Sequence, residues 1–214
     1  MNDKLHSYIE TLIPARNDLL EEMEKFAGDH GVPIMELTGI ESLLQILRIQ
    51  NPSAILEIGT AIGYSALRMA FALPEAKIVT IERDEERLLL AEQYIDRSGK
   101  EKNIVLIKGD ALESESEIRA HAPFNAIFID AAKGQYLKFF EIYSRFLADD
   151  GIIITDNVLF KGLVCEDEIE NKRIRNLVKK IDHFNKWLMA HPDYHTVILP
   201  VGDGVAISKK RGES

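Results

Sequence analysis

"AILEIGTAIGYSALRMAFAL", Ala54 to Leu73, decides the fold. Four of its first five residues are apolar, two of them β-branched; Gly59 and Gly63 follow, and from Tyr64 the apolar residues take helical spacing. A strand that turns over glycine into a helix is half of a βαβ unit. "KIVTIE" (77–82) supplies the second strand, and the charged stretch from Asp84 to about Arg97 reads as the next helix. The alternation continues through strands "NIVLIKGD" (103–110), "FNAIFID" (124–130) and "GIIITDN" (151–157), with helical segments between them. Strands apolar on both faces and separated by helices specify a parallel sheet covered on both sides, joined by right-handed crossovers.

Upstream, residues 3–27 have helical spacing, with Leu5, Tyr8, Ile9, Leu12, Leu19, Leu20 and Met23 as the apolar side and a break at Pro14. A second helix starts near Thr38, carries Ile40, Leu43, Leu44 and Leu47, and ends at Asn51-Pro52. Downstream, a long helix over about 168–190 precedes "YHTVILPVGDGVAISKK", two strands around Gly202-Asp203-Gly204 that read as an antiparallel hairpin. The expectation is one α/β domain over 1–214: a helical addition (1–50) on a Rossmann-like core (51–214) with a mostly parallel seven-stranded sheet. By analogy of fold, the terminal hairpin sets it apart from a standard dinucleotide-binding domain and resembles class I methyltransferases.

Composition narrows the setting. The chain has 214 residues, 46% hydrophobic and 29% charged, an ordinary globular balance. One cysteine, Cys165, excludes an internal disulfide and fits a reducing compartment. The polar start and the absence of a long apolar run predict a cytoplasmic protein with no membrane partner. The formal charge of −9 argues against a broad nucleic-acid surface, though not against a local basic patch.

Ligands of open α/β sheets sit beyond the carboxyl ends of the strands. After the first strand lie Gly59, Gly63 and Ser65, with Glu57 just before them; tight turns need glycine whatever they bind, so this loop alone is ambiguous. Glu82 ends the second strand, where an acid can accept both hydroxyls of a ribose, and Gly109-Asp110 ends the third, within reach of an adenine edge. Three acids at successive strand ends suit a phosphate-free, cationic nucleoside such as S-adenosylmethionine better than NAD.

Asp130 ends the fourth strand and Asp156-Asn157 the fifth. Two carboxylates and an amide carbonyl on adjacent strands form an oxygen site suited to Mg²⁺. Lys133, three residues after Asp130, reads either as its salt-bridge partner or as the group that takes the proton from, or stabilises, a metal-bound hydroxyl.

"LEIGTAIGYSALRMA", "TIERD", "GDA", "FIDAAKGQY" and "ITDNVLFKG" together resemble the metal-dependent O-methyltransferases, the group of catechol and caffeoyl-CoA O-methyltransferases. The resemblance implies metal ligands at Asp130, Asp156 and Asn157, with Asp130 also beside the cofactor, and catalytic roles for Lys133 and Asp130. It implies S-adenosylmethionine contacts at Glu57, Gly59, Ser65, Glu82, Gly109 and Asp110, with Met35 and Leu37 placed before the second helix, and a homodimer. "VPIME", "ITDNVLFKGLV", "NKWLMAHPDY" and "PVGDGVAISKK" are similar to the bacterial tRNA 5-hydroxyuridine branch. That implies the anticodon region of tRNA as substrate, with a small catechol-type acceptor as the alternative. On the long helix, Ile174, Leu177, Val178, Ile181, Phe184 and Leu188 form an apolar stripe. Lys172, Arg175, Lys179 and Lys186 lie opposite, with Arg173 and Lys180 on the flank. This row reads equally as a phosphate-binding surface or a solvated face. An NAD oxidoreductase and a non-catalytic RNA binder are the competing classes.

Overall fold

The computed structural model describes residues 3–212. Two helices, α1 (Asp3–Leu12) and α2 (Asp18–His30), are separated where Pro14 removes a backbone donor, and Asn17 caps α2 by accepting from the Leu20 N–H at 3.0 Å. Helix α3 (Leu37–Gln50) leads into β1 (Ala54–Ile58), α4 (Tyr64–Ala72), β2 (Lys77–Glu82), α5 (Glu85–Ser98) and β3 (Ile104–Lys108). Then follow α6 (Glu115–Arg119), β4 (Phe124–Ile129), a 3-10 turn at Lys133–Gln135, α7 (Tyr136–Tyr143), β5 (Leu147–Thr155), α8 (Lys172–Met189), β6 (Tyr194–Leu199) and β7 (Val205–Lys210).

The seven strands lie in the order β3-β2-β1-β4-β5-β7-β6. All pairings are parallel except β5 with β7 and β6 with β7, so the expected antiparallel hairpin is present. Alternation along each strand feeds two cores. Ile55 joins Leu43, Leu47 and Leu67 on the α3–α4 face, whereas Leu56 and Ile58 join Phe140, Tyr143 and Phe184 on the α7–α8 face. Glu57, between Leu56 and Ile58, falls on the first face.

Two boundaries and one burial pattern differ from the sequence reading. Helix α8 begins at Lys172, because Asn171 caps it by accepting from Arg173 and Ile174 N–H groups. Strand β5 begins at Leu147, whose pairing with Phe124 precedes an irregularity in the ladder. The apolar side of α1 is not buried: Leu5, Tyr8 and Leu12 are each 50% or more exposed, while Leu20 and Met23 of α2 enter the core. No helix among the described residues is long and apolar enough to cross a membrane.

Candidate active site

The strand ends are stitched together in a row. Gly109 N–H donates to Glu82 O at 2.9 Å, Gly59 N–H to Ile81 O at 3.1 Å, Asp130 N–H to Ile58 O at 3.0 Å and Asp156 N–H to Ile129 O at 3.1 Å. The residues singled out from the sequence therefore line one carboxyl edge of the sheet. Over that edge lies a cavity of about 660 Å³. Met35, Gly59, Ser65, Glu82, Gly109, Asp110, Asp130, Lys133, Asp156 and Asn157 all reach its wall.

Two expected contacts do not. Leu37 packs against the core at the start of α3, and Glu57 is fully buried below the loop. The Glu57 carboxylate accepts from Ser65 Oγ and Thr80 Oγ1, both at 2.5 Å, so it braces the loop from beneath. Burial pushes its pKa up to about 7 against the pull of those two hydrogen bonds, with Asp130 and Glu82 adding repulsion. The folded state thus holds a proton on Glu57 that the unfolded chain releases at the ordinary carboxylate pKa. Stability falls as pH rises between about 5 and 7 and levels off above, by on the order of 3 kcal/mol. Urea unfolding of metal-free protein checks this: Glu57→Gln should gain about that much relative to wild type between the two ends of the window.

Glu82 is held by three backbone donors. Its Oε2 accepts from Ala61 N–H at 2.8 Å, and its Oε1 from Arg83 and Asp84 N–H, both at 2.9 Å. A carboxylate offers about four acceptor positions. One remains, on Oε2, so the two ribose hydroxyls expected from the sequence would share it. Asp110 accepts from Leu112 N–H at 2.9 Å and pairs with Arg83 at 3.1 Å, and both partners hold its pKa below the usual range.

At the other end of the cavity, Asp156 is 3% exposed and Asp130 half-buried. Burial raises the pKa of Asp156 to about 7, and the neighbouring Asp130 charge adds to it. Burial also raises Asp130, opposed by Lys133 and reinforced by Asp203. Asn157, at φ 61°, donates its amide N–H to Asp156 Oδ2 at 2.5 Å, and its side-chain carbonyl oxygen has no partner among the described residues. The Tyr136 hydroxyl is buried beside these carboxylates without a hydrogen bond. Among the described residues no three His, Cys, Asp or Glu side chains converge, and the oxygen group beside the two carboxylates is the Asn157 amide. Crowded carboxylates, a free amide carbonyl and an unpartnered hydroxyl fit a hard divalent cation.

No ion pair joins Lys133 to Asp130; the Lys133 ammonium stands 5.8 Å from the centre of the Phe160 ring, on the cavity wall. The salt-bridge reading of "FIDAAKG" is therefore replaced by an ammonium that acts on both carboxylates through space without contacting either. Asp203 and Phe160 also line the cavity and were not singled out from the sequence. The backbone carbonyl of Asp203 accepts from Leu159 N–H at 2.9 Å and Phe160 N–H at 3.1 Å, clasping the loop after β5. Two flanking glycines marked Asp203 as a turn residue; only the position of β7 beside β5 brings it to the site.

A family model described as O-methyltransferase matches residues 11–211. The chain belongs to the O-methyltransferase family. Caffeoyl-CoA O-methyltransferase 1 of Arabidopsis thaliana is 31% identical over 98% of this chain and 85% of its own length. A provisionally named caffeoyl-CoA O-methyltransferase from Staphylococcus aureus superposes with TM-score 0.89 at 36% identity, covering 98% of each chain. An O-methyltransferase from Bacillus cereus, solved in complex with SAH, superposes with TM-score 0.84 at 27% identity and covers 97% of each chain. Membership in the O-methyltransferase family leaves the oxidoreductase reading without support.

Proposed function

We propose that this O-methyltransferase carries a methyl group from S-adenosylmethionine to a hydroxyl that has a second oxygen beside it, in a Mg²⁺-dependent reaction. The observation that carries this reading is the single cavity joining Gly59, Glu82 and Asp110 to Asp130, Asp156, Asn157 and Lys133. S-adenosylmethionine, when bound, supplies an electrophilic methyl group, and a divalent cation, when bound, makes the acceptor hydroxyl more acidic. The remaining acceptor position on Glu82 Oε2 suits a ribose hydroxyl, and Gly59 lies on the wall of the same cavity. Asp130, Asp156 and the Asn157 carbonyl hold the cation, and Lys133 receives the proton or neutralises the oxyanion. Positioning does most of the remaining work.

The named relatives favour a small phenolic acceptor such as a caffeoyl thioester. One structural feature favours the second reading, 5-hydroxyuridine in the anticodon region of tRNA: basic residues of α8 lie close to Lys133, across the turn at Gly134. Both acceptors present two vicinal oxygens. The exposed apolar side of α1 gives the expected homodimer a surface to bury.

Purified protein with Mg²⁺ and methyl-labelled S-adenosylmethionine should label caffeoyl-CoA, and EDTA should stop it. Label recovered as 5-methoxyuridine from undermodified tRNA, with none in caffeoyl-CoA, moves the substrate to RNA. Label in neither acceptor, nor in catechol, overturns the reading.

A further inference from the structure

We propose that the cleft between the Lys133–Gln135 turn and α8 is a phosphate-binding subsite for the methyl acceptor; this rests on the methyltransferase reading above. The cleft has a volume of about 440 Å³, and Lys138, Lys179, Lys180 and His183 line it together with Lys133. Lys133 also lines the catalytic cavity, so the two spaces meet at that side chain.

Lys25, Lys108, Lys186 and Lys210 each pair with a carboxylate elsewhere on the surface. Among the described residues, Lys138, Lys179 and Lys180 have no carboxylate partner. Ammonium groups gathered without counter-charge repel one another, and an anion seated among them relieves that repulsion. Lys180 packs beside Gly134: a Cβ there would lie in ordinary contact, 3.5 Å from Lys180 Nζ and 3.6 Å from its Cδ. The lysine thus lies against the backbone of the turn that carries Lys133.

The rest of α8 sharpens the assignment. Lys186 is taken by Asp182 at 2.7 Å, and Arg175 donates to the Ile169 carbonyl at 3.1 Å. Of the basic row, Lys179 and Lys180 are the members that share a concave site with the catalytic turn. An acceptor with its hydroxyl at Lys133 and a phosphate in the cleft spans both spaces. Two chemistries meet this description, a polynucleotide and a thioester on a phosphate-bearing coenzyme; free catechol does not.

The test compares wild type with Lys138→Gln/Lys179→Gln/Lys180→Gln, using coenzyme A by calorimetry and a fluorescein-labelled RNA hairpin with a uridine-rich loop by anisotropy. Binding of SAH and the melting temperature report that the variant is folded. The expected result is a loss of at least about 10-fold in affinity for one probe, with SAH binding kept within about twofold. If RNA is the responding probe, the log–log salt slope falls by about 2 to 3; if coenzyme A responds, the thioester is the source. Equal affinities in both proteins, or no binding of either probe by wild type, overturns the subsite. Methyl transfer with unchanged kcat/KM in the variant overturns it while leaving the proposed function standing. Binding losses without methyl transfer by wild type do the reverse.

Discussion

Replacing Asp156 by alanine is expected to lower methyl transfer on the order of 10²- to 10³-fold, the loss typical of removing one preorganised electrostatic group. SAH binding should stay within about twofold, because Asp156 lies at the opposite end of the cavity from Glu82 and Asp110 and none of its hydrogen bonds involves the Gly59 loop. The variant also removes a buried charge whose ionisation is unfavourable. Burial, reinforced by the charges of Asp130 and Asp203, outweighs the Asn157 hydrogen bond and Lys133, so the Asp156 pKa stands at about 7. Without added metal, Asp156→Ala should therefore be no less stable than wild type above pH 7. With Mg²⁺ present, wild type should gain thermal stability and the variant should not, because a cation that binds only the folded state stabilises it. Measuring kcat, SAH affinity and melting temperature with and without EDTA separates these effects. A variant that keeps its rate within a few-fold of wild type would show that this carboxylate holds no essential cation.

The second large effect concerns a position without a side chain. Gly59→Ala should destabilise the protein by about 3–5 kcal/mol, in the range reserved for backbone conflicts. Gly59 has φ 100°, which L residues rarely adopt, and a Cβ there would lie 2.2 Å from the Asp130 carbonyl oxygen and 2.9 Å from its carbon. The atoms in the way are backbone atoms of the neighbouring strand end, so no rotamer change relieves the clash. The strand ends that meet here carry the Gly59 loop and Asp130, proposed above to serve the cofactor and the cation, so any folded fraction should have lost both SAH binding and transfer. Gly99→Ala is the control: φ is 68°, yet no atom lies within 4 Å of its Cβ, so only the backbone strain of about 1 kcal/mol applies. Urea midpoints for the two variants would distinguish contact from conformation. Equal losses at both positions would refute the close-approach argument.

Much of this architecture is local in the chain and therefore legible there. The Ala54–Leu73 unit announces its strand, turn and helix by composition, and five parallel strand ends place Glu82, Asp110, Asp130 and Asp156 on one edge by topology alone. Asn171 as the cap of α8 was also readable in principle, since Asn before a helical run is a start signal. Other features depend on distance in space. That Glu57 faces down onto α4 follows only when the two faces of β1 are known. That Lys133 lacks an ion pair depends on the angle at which its turn leaves β4. Asp203 joins the site from some 70 residues beyond Asp130, through a hairpin whose register no motif specifies.

The order β5-β7-β6 carries a consequence for how such a chain matures on the ribosome. Strand β7 follows every other strand in the sequence, yet it slots between two that are already made and bonds to both. Until it emerges, the loop after β5 lacks the Asp203 and Gly204 carbonyls that fix Val158, Leu159 and Phe160. A nascent chain can thus complete its glycine loop early, while the acceptor side of the cavity waits for the last strand to arrive.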